Sequence, residues 1–421
     1  MLNINFIREN SDIVKRAVRD KNMDVDIDAL LAVDEERREL IGQVDELRAQ
    51  QNKTSKVFVR EKDATVRDDK IAQMQGLKSD LHKKEERLRE VEEQFHDLMR
   101  AVPNIPYKEA PVGKDESANV VLREVGKRPE FDFKAQDYLT LAQKHDWIDI
   151  KRAAKVSGSR FGYLKGELAL LEFALVHYTM QKLTGEGFIP VVPPVMVKPE
   201  YMDAMGFLYG DIKDDMYFLE QDQLYLVGTS EQSLGPMHAG EMLMLDKLPL
   251  RYAGFSTCFR REAGSYGKDT RGILRVHQFD KIEMVSFCDP EKSREEHRYL
   301  LGLNEAMMSE LNLPYRVMHI STGDMGLAKA EQFDVETWIP SEGQYRETHS
   351  ASNTTDFQAR RLDIKTKNKE GETVFVHMLN DTAFAIGRML IALIENFQQK
   401  DGSVELPDIL ANYMGTNKIP R

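Results

Sequence analysis

The chain has 421 residues, 30% of them charged and 41% hydrophobic, with a formal net charge of −12. That length supports two or three domains with ample core, and the acidic balance excludes wholesale coating of nucleic acid, so such a partner needs local basic patches. Two cysteines, Cys258 and Cys288, without a CxxC pair, fit a reducing compartment and exclude a cysteine-rich zinc site. The start Met1-Leu2-Asn3-Ile4-Asn5 lacks the apolar core of a signal peptide. No apolar run approaches the ~20 residues of a membrane span. A cytoplasmic setting, with neither membrane nor DNA as partner, is expected.

Residues 1–25 read as short helices, with Ser11 able to cap one that carries Ile13, Val14, Ala17 and Val18. A long helical pattern follows from about Ile27 to Val57, with Leu30, Val33, Leu40, Val44 and Leu47. From about Asp69 to Arg100, Met74, Leu77, Leu81, Leu88, Val91, Phe95 and Leu98 keep a 3-4 spacing interrupted only by Lys84. That is a heptad seam. Two such helices joined near residues 58–68 predict an antiparallel coiled-coil hairpin, each helix roughly 45–50 Å long. Lys53, Lys56, Arg60 and Lys62 cluster near its tip, opposed by Glu61. The hairpin is either a dimerisation or spacer element or an arm that reaches a large partner, and charge alone does not decide between them.

Ala101 to Val120 reads as an extended linker punctuated by Pro103, Pro106 and Pro111. The remainder, 121–421, alternates differently. Helices are predicted near 165–183, 290–310 and 384–399, and strands near 224–227, 252–262, 274–287, 315–320, 345–352 and 373–380. Neighbouring hairpin-like strands predict an α+β domain, an antiparallel sheet flanked by helices.

Two of these strands, joined by a glycine-bearing loop from Gly264 to Gly272, carry the densest chemistry. Alternation on a strand puts Arg275, His277, Phe279, Lys281 and Glu283 on one face, and Arg260 with Glu262 on one face of the first strand. Such a mixed face is either solvated or a floor for a ligand with a polyphosphate, a flat base and an ammonium group. Arginine forks match phosphate oxygens, a ring can stack on a base, and a carboxylate can hold an amine. Cys258, His277 and Ser265 form no triad with a base, so nucleophilic catalysis is not expected of them.

Three segments then fall in order: Gly187-Phe188-Ile189-Pro190-Val191-Val192-Pro193-Pro194 after a long helix, the two-strand segment, and Gly387-Arg388 opening a helix from Met389 to Gln398. This order resembles motifs 1, 2 and 3 of the class II aminoacyl-tRNA synthetases. Phe6-Ile7-Arg8-Glu9-Asn10, Val102-Pro103-Asn104-Ile105-Pro106, Ser157-Gly158-Ser159-Arg160-Phe161 and Asp356-Phe357-Gln358-Ala359-Arg360-Arg361 are similar to segments of the seryl-tRNA synthetases of bacterial type. The resemblance covers nearly the whole chain.

The resemblance implies a serine–tRNA ligase that uses ATP with Mg²⁺, acts on L-serine and tRNA(Ser), and forms a homodimer through motif 1. tRNA(Sec) is left open as a second acceptor. It assigns Arg260, Arg275 and Arg388 to catalysis at the phosphates. It gives ATP Arg261, Glu262, Phe279, Glu347, Thr348, His349 and Ser350 as further contacts, with Phe279 stacking on adenine and Glu347 and Ser350 holding the metal. It gives serine Thr229, Ser230, Glu231, Glu283, Asn380 and Thr382, with Glu283 on the ammonium and Thr382 near the hydroxyl. Thr382 falls where family members often have serine. The hairpin corresponds to a tRNA-binding arm, with Lys53, Lys56 and Arg60 as contacts. Two other readings stand beside this one: an amino acid:carrier-protein ligase and a non-catalytic tRNA-binding paralogue.

Overall fold

The structure is a computed structural model that describes residues 1–58, 64–263 and 271–420. It divides into two compact units, one of Leu2–Arg19 and Met23–Pro103, the other of Met1, Asp20–Asn22 and Asn104–Arg421.

The N-terminal unit is helical: α1 (Ile4–Glu9), α2 (Ser11–Asp20), α3 (Ile27–Phe58) and α4 (Ala64–Ala101). Helix α4 begins about five residues earlier than the seam predicts. Leu30, Leu40 and Val44 of α3 and Leu81, Val91, Phe95 and Met99 of α4 are buried, as two apolar stripes packed together require. Met99, not Leu98, is the buried side chain at the end of the seam. A charge sits in the α3 seam. The Asp34 side chain is 1% exposed, and its carboxylate meets Arg8 Nε at 2.6 Å and Arg37 Nη2 at 3.2 Å. Burial works against the Asp34 carboxylate, but the two guanidinia outweigh it and hold its pKa below the usual range. Arg37 in turn lies 4.3 Å from the Phe95 ring. Arg60, Glu61 and Lys62 lie outside the described residues.

The second unit is built, among the described residues, on an eight-stranded sheet. Its strands are β1 (Val120–Val125), β2 (Ile189–Val191), β3 (Leu250–Phe259), β4 (Gln278–Cys288), β5 (Tyr315–His319), β6 (Glu331–Ile339), β7 (Gln344–Asn353) and β8 (His377–Ala385). The order is β1-β5-β6-β7-β8-β4-β3-β2, antiparallel throughout except for the β2/β3 pair. Three helices cover one face: α5 (Gly166–Gly185), α7 (Ser293–Glu310) and α9 (Ile386–Asn396), numbered to leave room for two short helices, α6 (Glu231–Leu234) and α8 (Phe357–Leu362). Leu171 and Leu175, Leu300 and Met307, and Leu390 and Leu393 bury against Ile282, Met284, Val317, Val335 and Phe384. Each such side chain stabilises the unit by about 1.5–3 kcal/mol.

Two predicted boundaries change. The segment after Pro103 is anchored: the Asn104 side-chain amide donates to Ala328 O at 2.9 Å and to Thr354 O at 2.8 Å. It then runs into edge strand β1, which begins at Val120. The strands of the two-strand segment are also shorter than predicted. Ladder pairing ends at Phe259 and Gln278, so Arg260, Glu262, Arg275 and His277 lie beyond it. The chain leaves because Arg261 N and Ala263 N are drawn to Asp215, and Glu262 adopts φ +53°, a left-handed turn that no strand continues.

Two β-bulges shape the polar face. In β7, His349 opposes Val335 and Glu347 opposes Glu336, so Thr348 is an extra residue. In β8, Phe384 opposes Ile282 and Thr382 opposes Glu283, leaving Ala383 extra. A bulge inserts one residue and re-aims the side chains that flank it.

Candidate active site

The polar face floors a cleft of about 680 Å³ that opens into a smaller pocket. Arg260, Arg275, Lys281, Glu347, Thr382 and Arg388 border both. Glu262, Phe279 and Gly387 line the smaller pocket, and Thr229, Glu231, Glu283, Asn380 and Ser350 the larger.

On one side three guanidinia converge. Arg260 Nε donates to Gly228 O at 3.1 Å, and its guanidinium lies 5.4 Å from the Phe279 ring centre. Arg275 Nη1 donates to Glu262 Oε2 at 2.8 Å. Arg388, in the first turn of α9, donates through Nη1 to Glu347 O at 2.8 Å and stands 3.3 Å from Glu347 Oε2. Burial in the cleft acts to raise the Glu347 carboxyl, but Arg388 and Arg260 prevail and lower it, while about half of the side chain stays open to the cleft. Three cations beside one flat ring suit a nucleoside polyphosphate.

On the other side two buried carboxylates face each other. Glu283 on β4 accepts from Lys281 Nζ at 2.7 Å and from Thr382 Oγ1 at 3.2 Å. Glu231 Oε1 accepts from Asn380 Nδ2 at 3.0 Å and Gln358 Nε2 at 3.1 Å. Burial, and then the nearby Glu283 charge, raise the Glu231 pKa. The sheet alternation holds here. Lys281 and Glu283 point into the cleft from β4, and Asn380 and Thr382 from β8. Asp381, between the latter two, points to α7 and accepts from Asn304 Nδ2 at 2.7 Å. Burial raises the Asp381 carboxyl far above its ordinary range. A subsite with paired carboxylates, a hydroxyl and an amide suits a small molecule with an ammonium and a hydroxyl.

Three residues expected in the site do not face it. Arg261 is exposed, with Nε on Met216 O at 3.1 Å and its guanidinium 4.4 Å from the Tyr217 ring. Ser230 is fully buried and donates to Gly254 O at 3.1 Å, fixing α6 to β3. His349 is buried against Phe384, and burial pushes its pKa down to about 3, so the ring is neutral. Thr348 reaches the smaller pocket, but its hydroxyl is engaged by Thr337 Oγ1 at 2.8 Å and His349 Nδ1 at 2.7 Å. His277 packs between Phe161 and Tyr217 instead of sharing the face of Phe279.

Sequence reasoning missed other contributors. Gln358 stands in a segment singled out for resemblance, yet nothing local marks it as a partner of Glu231. Gln332 and Asp334 lie on β6, a strand not predicted. The signal existed: Phe333, Val335, Thr337 and Ile339 alternate with Asp334, Glu336 and Trp338 and are all buried.

The residues expected to hold Mg²⁺ fit it. Glu347 and Ser350 are three apart on β7, a spacing that a regular strand sends to opposite faces. The bulge at Thr348 brings both to the cleft, and a carboxylate with a hydroxyl is hard-oxygen ligation.

A helix-backed antiparallel sheet with this arginine set is the catalytic fold of class II aminoacyl-tRNA synthetases, and the family model described as tRNA synthetase class II core domain (G, H, P, S and T) matches residues 217–397. Residues 1–106 match the seryl-tRNA synthetase N-terminal domain. The chain belongs to the seryl-tRNA synthetase family. A serine–tRNA ligase from Acidothermus cellulolyticus is 45% identical over 100% of this chain and 99% of its own, and one from Nitrosopumilus maritimus is 38% identical over 99% and 100%. Among solved structures, the seryl-tRNA synthetase of Pyrococcus horikoshii complexed with ATP superposes with TM-score 0.90 at 36% identity, covering 100% of this chain and 99% of that one. The cytoplasmic serine–tRNA ligase of Naegleria fowleri, in complex with AMP, gives 0.86 at 31%, covering 100% and 98%.

Proposed function

We propose that this cleft carries out both steps of serine–tRNA ligation, the activity of the family: L-serine and ATP give seryl-adenylate and pyrophosphate, and serine then passes to the 3′ end of tRNA(Ser). The observation that carries the reading is the pairing, in one continuous cleft, of three guanidinia beside Phe279 with a hydroxyl-bearing, two-carboxylate pocket. Solved relatives with ATP and AMP support the nucleotide assignment. Full-length relatedness, including the N-terminal domain, gives no support to a carrier-protein ligase or a non-catalytic paralogue.

In this reading Phe279 stacks on adenine, Arg260 holds the α-phosphate, and Arg275 and Arg388 hold the outer phosphates. Glu283 and Glu231 take the serine ammonium, and Thr382 meets the hydroxyl. Glu347 and Ser350 hold Mg²⁺, which neutralises phosphate charge when bound. No general base is needed. The serine carboxylate is already an anion, and one of its oxygens attacks the α-phosphorus while pyrophosphate departs. The residues contribute alignment and electrostatic stabilisation. A pocket that hydrogen-bonds the hydroxyl rejects alanine by leaving polar groups unpaired.

Lys53 and Lys56, exposed on α3, and Arg60 form the proposed tRNA contact of the helical hairpin. A homodimer is proposed through α5 and β2. Phe173 of α5 and Ile189 of β2 are 68% and 48% exposed, and exposed large apolar side chains suit an interface.

The test is ATP–pyrophosphate exchange with Mg²⁺ and no tRNA, run with serine, threonine, alanine and glycine. Exchange with serine alone supports the reading. Exchange with another of the four means the pocket around Thr382 selects a different amino acid, and exchange with none overturns adenylation.

A further inference from the structure

Lys281 is buried in the floor of the amino-acid pocket, yet no step described above uses it. Its side chain is 7% exposed and that of Glu283 2%. Its Nζ lies 2.7 Å from Glu283 Oε2 and 3.5 Å from Thr382 Oγ1, and Thr382 Oγ1 itself donates to the same Glu283 oxygen at 3.2 Å. Lys281, Glu283 and Thr382 therefore form a closed triangle at the point where the two pockets meet. Across it stands Glu231, with two amides on one carboxylate oxygen. Two buried carboxylates would thus meet one substrate ammonium. That leaves the occupied pocket with one negative charge in excess, unless a second cation is built in. Uncompensated charge in a buried pocket is costly, and the usual escape is to take up a proton.

We propose that Lys281 is a positioning residue of the amino-acid pocket: anchored between Glu283 and Thr382, it supplies the second cation that lets Glu231 and Glu283 both act as carboxylates on the serine ammonium. This rests on the reading that Glu283 binds that ammonium. The charged and titratable groups that act on the cluster are Glu231 from α6, Lys281 and Glu283 from β4, Asp381 from β8, Lys329 from the loop before β6, and Cys258 and Arg260 at the end of β3. Asp381 faces α7, away from the cluster, and burial raises its carboxyl pKa. Arg260 is committed to Gly228 O and the Phe279 ring. Lys329 Nζ donates to Gln332 Oε1 at 2.9 Å. Lys281 is the cation in contact with Glu283.

The sign of the linkage follows. Glu231 has a raised pKa, so acid neutralises it and weakens the ammonium site, and the KM for serine rises as pH falls. Removing the Lys281 charge raises the carboxyl pKa further. The rise in KM should then begin at higher pH.

The experiment is pyrophosphate exchange from pH 6 to 9 on the wild type and on Lys281→Met, Lys281→Arg and Glu283→Gln. Lys281→Met is expected to move the acid limb of kcat/KM for serine upward by about one pH unit, the scale of a lost neighbouring charge. That is about a tenfold higher serine KM at a pH on the limb, with the KM for ATP within twofold. Lys281→Arg should restore the profile. A Lys281→Met profile that superposes on the wild type overturns the proposal, and so does an equal loss against serine and ATP at every pH. If Glu283→Gln leaves the serine KM unchanged, the ammonium reading beneath it fails instead. Should Lys281→Met not fold, proton release on serine binding to the unmutated protein decides. Well under half a proton at pH 7.5 supports a built-in counter-charge, and a full proton overturns it.

Discussion

Arg260 joins the two halves of the cleft. Its Nε is fixed on Gly228 O, so the guanidinium does not swing freely, and it stacks toward Phe279 while bordering both pockets. A donor held where charge develops is worth far more than a mobile one. Arg260→Ala is therefore expected to lower serine-dependent exchange by about 10²–10³-fold, the scale of losing one preorganised donor, without altering the melting temperature by more than a few degrees. An unchanged exchange rate would remove Arg260 from the chemistry. Residue type made this arginine, Glu283 and Phe279 legible in the sequence, because each brings a distinct chemistry to the two-strand segment, Arg260 just past the end of its strand. Ser230, His349 and Arg261 misled for a common reason. Each is adjacent in sequence to a residue that lines the cleft but points elsewhere, His349 by strand alternation on β7 and Ser230 by the turn into α6.

Elements hold these residues through close approaches that sequence alone does not reveal. Helix α6 is only four residues long, yet it carries Glu231 and follows Thr229. It can lie against β3 because Gly254 has no side chain: a Cβ there would come 2.5 Å from Leu234 Cδ1 and 3.1 Å from Ser230 Oγ. Gly254→Ala forces Leu234 and Ser230, the side chains that seat α6, to give way. Its expected result is a several-fold rise in the serine KM with a smaller change in the ATP KM, together with about 1–3 kcal/mol lost from stability, the cost of overpacking. Equal KM values for both substrates, measured by exchange, would show that α6 does not set the pocket. The sheet as a class was legible from hairpin-like neighbours and buried alternation. The bulges were not, since an extra residue in one strand is defined only by its partner strand. Strand β6 went unread although its alternation is regular, because Asp334 and Glu336 interrupt its apolar positions with charge.

At the scale of the molecule the two units divide the labour proposed here. Among the described residues, those lining the cleft all belong to the sheet unit, which buries its own core. Deleting residues 30–97 and closing the gap is expected to leave pyrophosphate exchange within about twofold, while tRNA charging falls by more than a hundredfold, since loss of a handful of contacts at ~1.4 kcal/mol per decade suffices. Equal charging with and without the hairpin, measured with the same tRNA, would assign the hairpin another role. Within the hairpin, the Asp34 cluster with Arg8 and Arg37 is a polar interruption of an apolar seam. A slip of α3 would part Asp34 from Arg8 and Arg37 from the Phe95 ring, so the cluster favours one alignment of the helices.

The extra residue in β7 has a meaning beyond geometry. A regular sheet can display groups only at even intervals, and Glu347 and Ser350 are separated by an odd one. The strand therefore changes phase at Thr348, and the site depends on the number of residues there as much as on their kind. The same residues on a strand without that phase change would send either Glu347 or Ser350 toward the helices, where an unpaired carboxylate is costly. Spacing in this strand is a constraint in its own right: without the bulge, foldability and the alignment of the two oxygen donors would be lost together.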